Sequence, residues 1–170
     1  MEKYKEAREK ALNCIATADH LLTMTYPLVE DPKLLLSVVE NIFLGLTNAM
    51  AALLYYERKY KRIPPFQDNF HSKYNMFKMR IIDRYDINKN YLDFINEIKE
   101  IVLKNKKSPF TFTRKEKFVI CSKDYKLETL KIKDIKNHLQ KAKLFIHKIT
   151  SIIGKNEKVY SKSKRRTKKN

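Results

Sequence analysis

A chain of 170 residues, 43% of them hydrophobic, is long enough to bury one core without disulfides or metals. Its two cysteines, Cys14 and Cys121, lie far apart with no CxxC, which excludes a disulfide scaffold and reads as reduced, packed thiols of a cytoplasmic protein. Lys and Arg number 37 against 19 Asp and Glu, a net charge of +18, while the charged opening MEKYKEAREK is neither a secretory signal nor a lipidation site.

In chain order, the first segment repeats Tyr4, Ala7, Ala11, Cys14, Ala18, Leu22 and Thr25 as a helical stripe, with Pro27 behind it. Asp31 followed by Pro32 gives an N-cap and then proline at the first helical position. A second helix should run from Pro32 to about Arg62 and stop at Pro64-Pro65. Leu35, Val39, Ile42, Leu46, Ala49, Leu53 and Tyr56 form its core face. A second stripe, Ser37, Asn41, Leu44, Asn48, Ala51 and Tyr55, lies on the other side, with small Gly45 and Ala52 beside it. Such a helix is central in a bundle or shared with a second subunit. Ser37, Asn41, Leu44, Asn48 and Tyr55 are the candidate homodimer contact, with Asn41 and Asn48 pairing across it; the alternative is two asparagines satisfied within one chain. Residues 34–56 also match the length of a membrane span, but Glu40, Asn41, Thr47 and Asn48 argue against insertion.

Phe70, Tyr74, Phe77 and Ile81 mark a third helix, and Tyr91, Ile95, Ile98 and Val102 a fourth, ending near Lys107-Ser108-Pro109. The stretch FTFTRKEKFVICSKDYKLETL then reads as a small β-hairpin around SKDY. A last helix, from about Ile132 to Ile153, repeats Ile135, Leu139, Ala142, Ile146, Ile149 and Ile153, widened by Phe145 and Ile152, with Gly154 suited to its C-cap. The fold class is therefore mainly all-α: one domain over residues 1–154, about five helices with a hairpin before the last. Residues 155–170 form a basic tail with little to bury, expected to be disordered.

Chemistry is sparse. None of His20, His71, His138 and His147 has a ligand at i+3 or i+4, and His138 faces the core while His147 points half a turn away. No nucleophile elbow, local Cys/His pair or glycine loop is present, so no catalytic residue, metal or cofactor is assigned. Glu40 is the carboxylate set in a strongly apolar run. Charge carries more information. The tail holds eight basic residues and one glutamate, a net +7, and residues 1–154 still carry +11, 29 basic against 18 acidic. Such excess favours a polyanion. The candidate nucleic-acid-binding residues are Arg58, Lys59, Lys61 and Arg62 at the end of the second helix, with Lys162, Lys164, Arg165, Arg166, Lys168 and Lys169 in the tail. Complementing the helix macrodipole is the competing role of the first group.

The segment ENIFLGLTNAMAALLYYERKY, preceded by ADHLLTMTYPL, resembles the HEPN helical-bundle superfamily over residues 1–107. The resemblance rests on helix order, lengths and the alanine-rich second helix. It implies a helical module, commonly dimeric, of a superfamily that includes RNA-cleaving toxins, nucleotide-transferase partners and inactive binding modules. Its ribonucleases use an Arg, four to six intervening residues, then a His. No histidine here has an Arg at that distance, so the resemblance implies a non-catalytic member. The function expected is binding of RNA or a ribonucleoprotein, the alternative a dimeric scaffold for another protein, and third a ribonuclease-like enzyme.

Overall fold

The structure, a computed structural model, describes the backbone of residues 1–107, 110–114, 117–121 and 127–167 and the side chains of 1–105 and 131–165. Its first rod is α1 (Lys3–His20), one π-helical turn (Leu21–Thr25) and α2 (Tyr26–Val29). Pro27, expected between helices, lies inside this rod. Proline has no N–H and its ring crowds the carbonyl four residues back, here Thr23. The wider π turn, closed by the Tyr26 N–H on the Leu21 carbonyl, accommodates it. Glu30, in the left-handed region at φ 52°, ends the rod.

Asp31 caps α3 (Pro32–Lys59) as its position predicts: its Oδ1 accepts from the Lys33 N–H at 2.9 Å, with Pro32 in the first turn. Asn69 caps α4 (Phe70–Met76), accepting from the Ser72 N–H at 2.8 Å, and a second π-helical turn (Phe77–Ile81) continues it. α5 is Asn90–Lys107 and α6 is Ile132–Thr167. Between them the backbone runs through β1 (Phe110–Arg114), β2 (Lys117–Cys121) and β3 (Leu127–Lys131), paired antiparallel in chain order. The expected hairpin falls on this stretch; its turn at 122–125 lies outside the described residues.

The mainly helical, five-rod bundle matches the sequence pattern. α3 is central, with α1, α4, α5 and α6 packed around it. Its predicted core face, Leu35 to Tyr56, is buried throughout, and so are Val38, Met50 and Leu54. α3 is also the helix long and apolar enough to cross a membrane among the described residues, and half of its most apolar window is buried in the bundle. α6 supplies Ile135, Leu139, Ala142, Phe145, Ile146, Ile149 and Ile153 from the opposite side, all buried. Phe145 meets Phe77 edge-on at 5.9 Å and Tyr91 at 5.1 Å.

Small residues set the α1–α3 spacing. Ala7, Ala11 and Ala18 of α1 and Gly45, Ala49 and Ala52 of α3 are all buried. A Cβ on Gly45 would lie 3.2 Å from Ile146 Cδ1 and 3.5 Å from the Ala11 carbonyl, so α1, α3 and α6 converge there. A methyl group asks only the flexible tip of Ile146 to shift, and alanine is the better helix former. Gly45→Ala should therefore remain within about 1 kcal/mol of the parent in urea unfolding. Gly45→Leu, which must part three helices, should lose about 2 kcal/mol or more.

Candidate nucleic-acid interface

α3 ends three residues before the expected Arg62 because the chain closes a Schellman turn. The Arg62 N–H bonds the Glu57 carbonyl at 3.0 Å, and the Lys61 N–H bonds the Arg58 carbonyl at 3.0 Å. Lys61 occupies the left-handed position at φ 55°, where glycine is usual, and its side chain is exposed.

One turn earlier lies Glu57, the buried charged residue among those described, with 0% exposure. Its carboxylate accepts from Arg62 Nη1 at 2.9 Å on Oε1, from Arg84 Nη1 on Oε2 and from the Tyr85 hydroxyl on Oε1. Burial first, and the bond to Glu57 second, push the Tyr85 phenol up to about 12. Asn156 of α6 reaches the same hydroxyl at 3.4 Å. A carboxylate withdrawn from water loses several kcal/mol of solvation, and paired guanidiniums with an extra donor offset that loss. The sequence reading missed Glu57 and singled out Glu40, which lies half-buried on the helix surface. A signal was present. Glu57 continues the row Met50, Leu53, Leu54 at steps of three and four, whereas its neighbours Arg58 and Lys59 suggest only a solvated end.

α6 does not stop at Gly154. It runs 36 residues, to Thr167, and Gly154 is not in the left-handed region that a C-cap uses. Polar contacts hold the continuation. Glu157 accepts from the Tyr4 hydroxyl at 2.7 Å and from Arg8 at 3.2 Å. Tyr160 stacks on Tyr60, rings nearly parallel at 4.8 Å, and its hydroxyl accepts from Arg62. The Arg62 guanidinium lies 5.1 Å from the Tyr60 ring centre and 5.5 Å from that of Tyr160. Residues 155–167, expected without ordered structure, are thus helical, and from Lys158 to Arg165 every described side chain is exposed.

The continuation of α6, which carries the described part of the second predicted basic group, is therefore held by Tyr160 against Tyr60 and Arg62 of the first. The cations there are not equivalent. Arg62 is committed to Glu57 and the tyrosines. Lys59 is paired with Glu2, whose carboxyl Lys59 and then Lys5 hold down to about 2. That pairing is complete above the ordinary glutamate pKa near 4.5 and is lost only as pH falls through about 2. Arg58 lies 5.5 Å over the Phe66 ring, and Arg58, Lys61, Lys162 and Arg165 are exposed. Lys155 and Lys158, outside the predicted set, join them on α6. Lys164 is exposed as well. Arg166 belongs to α6 with its side chain outside the described residues, where Lys168 and Lys169 also fall.

The proposed dimer stripe has a local account. Asn41 Nδ2 donates to the Ser37 carbonyl and Asn48 Nδ2 to the Leu44 carbonyl, each at 2.8 Å. One N–H of each amide is thus used within α3. Ser37 and Asn41 are half-buried, Leu44 is 47% exposed, and Asn48 and Tyr55 line a groove between α1 and the Asp68–Lys73 segment. Among the histidines, His20, His71 and His147 are exposed, and His138 lies 5.7 Å from the Phe94 ring, its pKa lowered by burial. Among the described residues no three His, Cys, Asp or Glu side chains cluster to hold a metal. Cys14 is half-buried and burial raises its thiol pKa.

Comparison with known proteins found no matching family model, no matching curated relative and no matching solved structure.

Removing Glu57 leaves two guanidiniums facing each other in a partly dry site. Glu57→Ala should destabilise by about 3–5 kcal/mol in urea unfolding. Arg62→Met leaves Arg84 on the carboxylate and should lose less than half as much.

Proposed function

We propose that this protein is a non-catalytic RNA-binding module, mainly helical with a small hairpin ahead of α6, and that its partner is RNA or a ribonucleoprotein. The binding surface is the end of the bundle where α3 and the continuation of α6 meet. The observation that carries this reading is the fate of the acids there. Glu2, Glu57 and Glu157 are each engaged by Lys59 and Lys5, by Arg62 and Arg84, and by Arg8. None of those pairs uses Arg58, Lys61, Lys158 or Lys162, so their charge faces solvent beside the Tyr60–Tyr160 stack. Cations at helix ends beside aromatic rings suit a single-stranded phosphate backbone. The HEPN resemblance, without an Arg-to-His spacing, supports a binding rather than a cleaving role. A soluble, cytoplasmic protein without cofactor is part of the same reading, with α3 covered by its neighbours rather than by lipid.

Lys61→Gly offers a clean test, because glycine suits φ 55° and removes one charge. Stability should be unchanged or rise by up to about 1 kcal/mol. Single-stranded RNA binding, followed by fluorescence anisotropy across a KCl series, should weaken. Each lost phosphate contact flattens the log–log salt slope by about 0.7, so the combination of Lys61→Gly, Lys158→Gln and Lys162→Gln should flatten it by about 2. An unchanged slope would refute the surface assigned here.

A second reading, a self-associating scaffold, rests on the exposure of Leu44. Leu44 stands outside the core, so Leu44→Glu should fold; sedimentation should then give dimers for the parent and monomers for the variant if α3 is shared between copies.

A further inference from the structure

A depression of about 370 Å³ lies where residues 86–88, which lead into α5, meet the middle of α6. That volume falls within the roughly 300–1,000 Å³ range of small-molecule sites. Ile87, 4% exposed, and Tyr91, half-buried with its ring 5.1 Å from Phe145, give it an apolar base. Leu144 of α6 lines it too, although 62% of that residue is exposed. Steps of three and four along α6 bring His147, Lys148 and Ser151 to the same side.

The polar groups here differ from those between α1 and α3. There Lys59 holds Glu2, and Asp68 is engaged by Lys73 and by the Tyr55 hydroxyl. Here the side chains of Asp86, His147, Lys148 and Ser151 and the Tyr91 hydroxyl have no hydrogen-bond or ion-pair partner among the described residues. Asp86 and Lys148, opposite in sign, thus line one depression without pairing. The backbone at the start of α5 adds no donor. Asn88 Oδ1 takes the Asn90 N–H at 2.9 Å, and the Asn88 and Lys89 carbonyls take those of Tyr91 and Leu92 at 3.1 and 3.0 Å. Recognition therefore falls to the side chains. A bare anion would meet Asp86, and a bare cation would meet Lys148. A phosphate chain would also leave Ile87 and Leu144 uncovered. A small molecule with both charges on one carbon and an apolar group beside them suits the whole lining.

We propose that this depression binds a free α-amino acid with a large apolar side chain, its ammonium at Asp86 and its carboxylate at Lys148. Ser151, one turn beyond Lys148, is a second donor to the carboxylate, and the apolar side chain covers Ile87 and Leu144. The proposal does not depend on the nucleic-acid reading. Ser151 lies nine residues before Tyr160, about 14 Å along α6 at 1.5 Å per residue.

Calorimetric titration of the full chain with L-phenylalanine, 3-phenylpropanoate and 2-phenylethylamine tests it, since the second lacks the ammonium and the third the carboxylate. L-phenylalanine should bind saturably and each analogue about ten-fold or more weakly, the loss expected for one charge-assisted hydrogen bond. Asparagine tolerates the left-handed φ of 50° at position 86, so Asp86→Asn should fold and erase only the preference over 3-phenylpropanoate. Lys148 is exposed, and Lys148→Gln should erase only the preference over 2-phenylethylamine. Leu144→Ser should weaken all three ligands alike. Saturable binding of neither L-phenylalanine nor L-leucine overturns the proposal. So does equal affinity of the parent for L-phenylalanine and either analogue. Preferences unchanged in both charge variants would place the ligand elsewhere and overturn this site. RNA binding stands or falls by its own salt series in each case.

Discussion

A carboxylate sealed from water has to be neutralised where it stands, and Glu57 recruits its partners from three parts of the chain. Arg62 comes from the turn that ends α3, Arg84 and Tyr85 from the segment after the second π turn, and Asn156 from α6 through the Tyr85 hydroxyl. Apolar burial fixes that these helices pack; it is indifferent to small axial slides. A bidentate acid with partners on both oxygens is not indifferent, and it sets the register of one end of the bundle.

That register has an electrostatic effect. By consuming Arg62 and orienting it toward Tyr60 and Tyr160, the buried acid turns one cation of the RKYKR cluster inward. Glu2 does the same, more weakly and in contact with solvent, for Lys59. The cations left facing outward alternate with those used for structure, so the positive field at this end is carried by a subset of the residues that composition alone would credit. Local net charge is thus a poor guide to which side chains a polyanion can reach.

Much of the fold was legible because the stripes are long and regular. The core faces of α1, α3 and α6 emerge from spacing, and Asp31-Pro32 marks a helix start that the capping bond bears out. Where reading failed, a local rule met a tertiary partner. Gly154 has the residue type of a C-cap, yet Asn156, Glu157 and Tyr160 find Tyr85, Tyr4 and Tyr60, contacts no local window contains. Pro27 breaks an α-helix but not a rod with a π turn before it. Asn41 and Asn48 left two readings open, a cross-subunit pair or amides satisfied within one chain, and spacing could not show that each amide donates to a carbonyl one turn back. The groove was out of reach entirely, since it joins Lys3, Tyr55 and Asp68 from three elements.

The central position of α3 bears on how the chain is made. α3 ends at Lys59, and α6, which covers one of its apolar faces, begins at Ile132, roughly 70 residues later. At a synthesis rate of about 5–20 residues per second, that face waits roughly 4–15 s for its cover. Until then the nascent chain displays a long apolar helix of a length and hydropathy that membrane-insertion machinery accepts. On the soluble reading proposed above, Glu40, Asn41, Thr47 and Asn48 are then the features that distinguish it from a span. Polar residues of little account in the finished bundle would have their main effect on the ribosome, in keeping α3 in water long enough to be covered.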